Sequence, residues 1–160
     1  LGSVVDDKTV TRCNALIDDA LAKGATLLTG GKTDSTFMAA TLLADVTPQM
    51  RIWSEESFGP VKAVIFANEE QDALRIANDS TYGLSSAVYS RDTARAWNVA
   101  QNLQTGICHI NGPTVHDEAQ MPFGGTGDSG YGRFGGRAGI HEFTELRWVT
   151  MQTTPRTLPF

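Results

Sequence analysis

Apolar positions near the start of the chain recur at helical spacing. Val10, Cys13, Leu16, Ile17, Ala20 and Leu21 share one face, with Asp6 or Asp7 as cap and Gly24 as end. Short apolar runs closed by turn residues predict strands over residues 25–29, 37–43 and 61–67. Thr47-Pro48 marks a turn between the last two, because the residue before proline is pushed out of the helical region. Asn68 is the expected cap of a second helix, with Gln71 in the capping-box position and Ala73, Leu74, Ile76 and Ala77 facing inward. A strand over 85–89 follows. A helix over 92–103 then packs Ala96, Trp97, Val99, Ala100 and Leu103, and a strand runs over 107–111. Residues 112–139 are rich in glycine and carry little periodicity, and residues 146–152 read as a final strand. Strands alternating with helices predict an α/β layer with mostly parallel pairing. A loop longer than 20 residues inside such a unit is unusual, and loops of that kind often carry function.

Composition narrows the classes. The chain has 160 residues, 41% apolar and 19% charged, which is enough apolar surface for a core. The net charge is −5 and no basic block stands out, so nucleic acid is not an expected partner. No apolar run approaches the roughly 20 residues that a membrane span needs. The first residues lack the basic and apolar regions of a signal peptide, and the absence of an initiator Met points to a start within a longer protein. Cys13 and Cys108 form no CxxC pair and no disulfide framework, which suits a reducing, cytoplasmic setting.

The chemistry concentrates in two stretches. In Glu55-Glu56-Ser57-Phe58-Gly59-Pro60, a carboxylate and an aromatic ring stand two positions apart before a Gly-Pro turn. A carboxylate accepts both hydroxyls of a ribose diol through short charge-assisted bonds. A ring two residues on lies on the same side of an extended segment and packs on a nicotinamide. Glu56 is the expected ribose ligand and Phe58 the nicotinamide contact. An acidic surface turn followed by a core Phe fits the same pattern. The second stretch runs from Met121-Pro122-Phe123-Gly124-Gly125 to Ser129-Gly130-Tyr131-Gly132-Arg133. Two GxGxxG matches occur there, but neither follows a strand directly, so a dinucleotide fingerprint is not expected. Gly127-Asp128-Ser129-Gly130 lacks the context of a serine nucleophile. His116, Asp117 and Glu118 are adjacent and cannot converge on one ion, so no metal site is expected.

Together the two stretches resemble the C-terminal part of the aldehyde dehydrogenase superfamily. Residues 55–61 are similar to its Glu-x-Phe-Gly-Pro signature. Residues 78–86 (NDSTYGLSS), 106–111 (GICHIN), 122–136 (PFGGTGDSGYGRFGG) and 142–152 (EFTELRWVTMQ) agree in order and spacing. The loop from Gly112 to Glu118 is most similar to the aromatic-aldehyde branch, the salicylaldehyde, benzaldehyde and vanillin types. The resemblance implies the following. Residues 1–144 form the C-terminal portion of a catalytic domain, and residues 145–160 an oligomerisation strand and tail. The parent oxidises an aldehyde to a carboxylic acid with NAD or NADP, both of which stay open because the adenosine-ribose pocket is expected upstream. Glu56 and Phe58 hold the cofactor, while Phe123, Val115 and His116 line the aldehyde pocket. Core packing is the alternative for Phe123. The parent is expected to be a homo-oligomer, dimer or tetramer.

The family's nucleophilic Cys and base Glu settings are absent, so no catalytic residue is expected in this chain and the chain alone is expected to be inactive. Cys13 and Cys108 read as structural thiols. Alternatives in the same frame are a truncated remnant, an interaction module, or a relative acting on semialdehydes or acyl phosphates. One departure stands out. Gly127 occupies the place where the family commonly has Lys, which predicts a looser loop.

Overall fold

Helix α1 forms where the apolar spacing placed it, over Asp7–Ala22. Asp6 is its cap: the carboxylate accepts hydrogen bonds from the Thr9 backbone N–H and hydroxyl, both at 2.8 Å. Gly24, at φ +97°, turns the chain out of the helix as a left-handed end should. The buried face is Val10, Cys13, Leu16, Ile17 and Ala20. The computed structural model describes residues 1–157 and 159. The chain divides into two units: Leu1–Thr81 with Gln101–Leu103, and Tyr82–Ala100 with the described residues from Gln104 onward.

The first unit packs α1 against a three-stranded sheet. Its strands are β1 (Thr26–Thr29), β2 (Thr41–Ala44) and β3 (Val61–Val64), in that order. The β1–β2 pair is antiparallel, which corrects the expectation of parallel pairing at this edge. The β2–β3 pair is parallel, with Thr41 opposite Val61. A parallel pair needs a crossover. Here the crossover contains a short 3-10 helix, Arg51–Trp53, which the sequence did not announce. The core joins Leu16 and Ile17 of α1 to Leu43, Met50 and Val61. Helix α2 (Glu70–Asn78) buries only Leu74. Its cap is Glu69 rather than Asn68, and the Asn68 N–H instead donates to Asp72.

The second unit contains β4 (Tyr82–Gly83), β5 (Ser85–Val88), helix α3 (Thr93–Ala100), β6 (Ile107–Ile110), β7 (Thr126–Gly127) and helix α4 (Gly136–Glu142). Strands β5 and β6 pair in parallel, while β4 and β7 pair antiparallel. Asn111 closes β6 at φ +56°, a conformation Asn tolerates, and its amide bonds both ways with the Ser90 backbone. Helix α3 is shorter than predicted, and only Ala96 of its apolar stripe is buried; Trp97 is 59% exposed. The stripe packs on β5 and β6, which leave Val99 and Ala100 half-buried and Trp97 open. Residues 146–152 pair with no strand among the described residues, and Leu146, Trp148, Val149 and Met151 are exposed. Positions 158 and 160 of the expected tail lie outside the described residues.

The Gly127 loop pairs with β4. Thr126 and Gly127 form a ladder with β4, and Gly127 sits at φ +59°, where a Cβ is costly. Ser129 then accepts from the Gly83 N–H at 3.0 Å. No helix among the described residues is long and apolar enough to cross a membrane.

Asp6 provides a pH prediction. Its hydrogen bonds from Thr9 hold the carboxyl below the ordinary carboxylate value. Asp19 is lowered by Lys23, Glu55 by Arg51 and Asp72 by Arg75. A depressed folded value means that stability is present above the unfolded value and is lost as pH falls through the folded one. A side-chain carboxyl titration of Asp6 is expected to show a midpoint below the usual value of about 3.9. A midpoint at or above that value contradicts the capping bond.

Candidate functional site

The turn between the 3-10 helix and β3 carries the first candidate site. Glu55 and Glu56 are neighbours, but their carboxylates are not equivalent. Arg51 grips Glu55 with two bonds, at 2.7 and 2.8 Å. Glu56 has no hydrogen bond or ion pair among the described residues. Ser57 is buried, and helix α1 fixes its carbonyl from two positions. Arg12 Nε donates to it at 2.9 Å, and the Cys13 thiol lies 3.6 Å away. The Ser57 hydroxyl in turn donates to the Gly59 carbonyl at 3.0 Å.

Phe58 is therefore held in a left-handed conformation, φ +48°, and is 72% exposed. A residue with a Cβ pays about 1–2 kcal/mol for that backbone. Such strain persists only where the surroundings enforce it, and it concentrates at functional positions. The expectation of an extended Glu56–Phe58 segment is corrected here. The locked Ser57 forces a turn, and the ring projects from the bend. The Arg12 guanidinium lies over that ring, 5.4 Å from its centroid. Beside the turn is a cleft of about 220 Å³ with Glu56, Phe58, Ile52 and Lys62 in its wall. A free pair of carboxylate oxygens next to an open aromatic face fits one end of a nicotinamide riboside: acceptors for the diol and a surface for the base.

Cys13 is fully buried, and burial pushes its thiol above the usual value, against the opposing pull of Arg12 and Lys62. That is the condition of a packing thiol, not of an activated nucleophile.

The second candidate site lies in the second unit. A cavity of about 380 Å³ runs beside β6, with residues 106–109, His116 and Phe123 in its wall. Cys108 and His109 both line the cavity, although the side chains of strand neighbours alternate between faces. Phe123 is half-buried, and its backbone is fixed by exchanged hydrogen bonds with Phe134, at 2.9 and 2.7 Å. His116 approaches His109 edge-on, with ring centroids 5.5 Å apart, and pairs with Glu118 at 3.3 Å. The structure thus brings His116 and Phe123 into one cavity. Val115 is 91% exposed and is not in that wall. Sequence reasoning missed Arg12 and His109. Arg12 meets Ser57 across 45 positions, and no local pattern signals such a contact.

The fold is of the α/β class, and comparison with known proteins identifies it further. The family model described as the aldehyde dehydrogenase family matches residues 1–149. The chain belongs to that family. It is 58% identical over 159 residues to a vanillin dehydrogenase from Pseudomonas fluorescens, covering 99% of this chain and 33% of that protein. A crystal structure of a salicylaldehyde dehydrogenase from Pseudomonas putida G7, complexed with salicylaldehyde, superposes with a TM-score of 0.94. Its identity is 49%, covering 100% of this chain and 33% of that one. An aldehyde dehydrogenase from Mycobacterium tuberculosis, complexed with NAD+, gives a TM-score of 0.84 at 37% identity, with coverages of 91% and 31%. The chain therefore spans about a third of the length of the relatives it matches.

Proposed function

We propose that this chain supplies the nicotinamide-ribose contact and part of the substrate wall of an NAD- or NADP-dependent dehydrogenase that oxidises an aromatic aldehyde to its acid. The observation that carries the reading is the unengaged Glu56 carboxylate beside the strained, exposed Phe58. When bound, the oxidised nicotinamide supplies the hydride acceptor. Glu56 accepts the ribose hydroxyls, and Phe58 offers a face that limits how the base tilts. Arg12 and the Ser57 hydrogen bonds hold both in place. Phe123 presents an apolar ring to the substrate, and the relatives named for vanillin and salicylaldehyde favour an aromatic one. Burial of an aromatic ring in such a cavity is the usual mode of small-molecule recognition.

The exposed residues 146–152 fit addition to a neighbouring subunit's sheet, so a homo-oligomer is part of the proposal. Among the described residues both cysteines are free, in keeping with a reducing cytoplasm.

The experiment is turnover by the complete protein with NAD or NADP and a panel of aromatic aldehydes and semialdehydes. Reduced cofactor should appear with the aromatic aldehydes, and no reduction with any aldehyde contradicts the reading. The isolated chain should oxidise no aldehyde above a thiol-blocked control, and measurable turnover by it would show catalytic groups that the reading does not contain.

A further inference from the structure

The cleft beside Phe58 carries a charge that the proposed contacts leave unused. Lys62 stands in its wall together with Glu56 and Phe58. Among the described residues it is the one cation in that wall, and it is exposed. Strand β3 carries it opposite Leu42 of β2, while its neighbour Val61 is buried in the core. The side chain therefore leaves a paired strand on the face away from Val61. Lys62 forms no hydrogen bond or ion pair among the described residues. A free ammonium and the free Glu56 carboxylate thus line one cleft without pairing. The other cations around the turn are taken. Arg51 grips Glu55, and Arg12 holds the Ser57 carbonyl.

The chemistry of the nucleotide says what such an ammonium is for. A nicotinamide riboside needs an acceptor for its diol and a face for its base. In a dinucleotide the remaining arm of the same ribose carries phosphate. That anionic group must leave a cleft whose other charged wall residues, Glu55 and Glu56, are acids. A lysine places a compact charge with three donors on a flexible stem, which suits phosphate oxygens. We infer that Lys62 binds the phosphate attached to the nicotinamide ribose. The turn and the first residues of β3 then hold base, sugar and phosphate with Phe58, Glu56 and Lys62. This rests on the proposed cofactor contacts of Glu56 and Phe58.

The test measures binding by calorimetry on the complete protein, with nicotinamide riboside, nicotinamide mononucleotide and oxidised NAD as probes. Lys62→Met should weaken the mononucleotide and NAD by about 3- to 5-fold, the scale of an exposed ion pair, and leave the riboside within about 1.5-fold. Lys62→Arg should keep the preference for the phosphorylated ligand. Equal weakening of all three ligands would overturn the assignment, as would a mononucleotide affinity that Lys62→Met leaves unchanged. The unaltered protein covers the case of a variant that fails to fold. There the mononucleotide should bind more tightly than the riboside at low salt, and added salt should erode the difference. Equal affinities at low salt overturn the assignment. A riboside that does not bind, or whose affinity Glu56→Gln leaves unchanged, would instead remove the cofactor reading of the cleft, and this inference with it.

Discussion

Glu56→Gln in the complete enzyme should slow hydride transfer by roughly 10- to 100-fold in a single turnover, since small misplacements of reacting groups cost that much. The amide keeps one acceptor oxygen but loses the charge that shortens and strengthens both bonds to a diol. The ribose is then held loosely, and the base it carries samples positions from which hydride does not transfer. Glu55→Gln is the matched control. Its carboxylate already belongs to Arg51, so that change should leave the hydride step within about 2-fold. An unchanged single-turnover rate in Glu56→Gln would reject the ribose role. Equal losses in both variants would mean that the acidic turn acts as a whole.

Gly59→Ala should destabilise the protein by about 1–3 kcal/mol, the usual cost of overpacking a filled site. A Cβ at Gly59 would run into the Cys13 sulfur, with the Thr9 methyl next at 3.6 Å. Cys13 cannot recede, because it is fully buried in the cluster with Leu16 and Ile17. The turn must shift instead, and Phe58 and Glu56 shift with it. Cys13→Ala removes the obstructing sulfur, so in that background Gly59→Ala should cost much less. The expected coupling is about 1 kcal/mol or more in a double-mutant cycle. Denaturant unfolding of the four proteins measures it, and strict additivity would show that the sulfur is not the wall. This contact also explains why a glycine opens the Gly-Pro turn. The helix approaches so closely that only a hydrogen fits.

Local signals were legible and tertiary ones were not. The α1 stripe, its Asp6 cap and its Gly24 end were all readable, because each rests on neighbours in sequence. The strands near residues 26, 61, 85 and 107 were readable from short apolar runs between turns, although each proved shorter than its run. Helix α4 and strand β7 were not. They lie in the glycine-rich stretch, where positive φ values at Gly124, Gly127, Gly130, Gly132 and Gly135 break any period. Inward faces were overassigned on α2 and α3. An apolar stripe shows which face wants cover but not whether this chain supplies it, and Trp97 remains open.

At the site, the motif named Glu56 and Phe58, and the structure showed why one glutamate of the pair is free. Arg51 takes the other. The motif misjudged the backbone, since the Ser57 clamp from α1 that bends Phe58 is a contact between distant positions. His116 and Phe123 line one cavity, whereas Val115, expected in the same loop mouth, lies exposed outside its wall.

The most direct test is a crystal structure of the complete protein with oxidised NAD or NADP bound. Both Glu56 carboxylate oxygens should lie about 2.5–3.0 Å from the nicotinamide-ribose hydroxyls, with the Phe58 ring against the base. A ribose held by other groups, with Glu56 turned to solvent, would contradict the account.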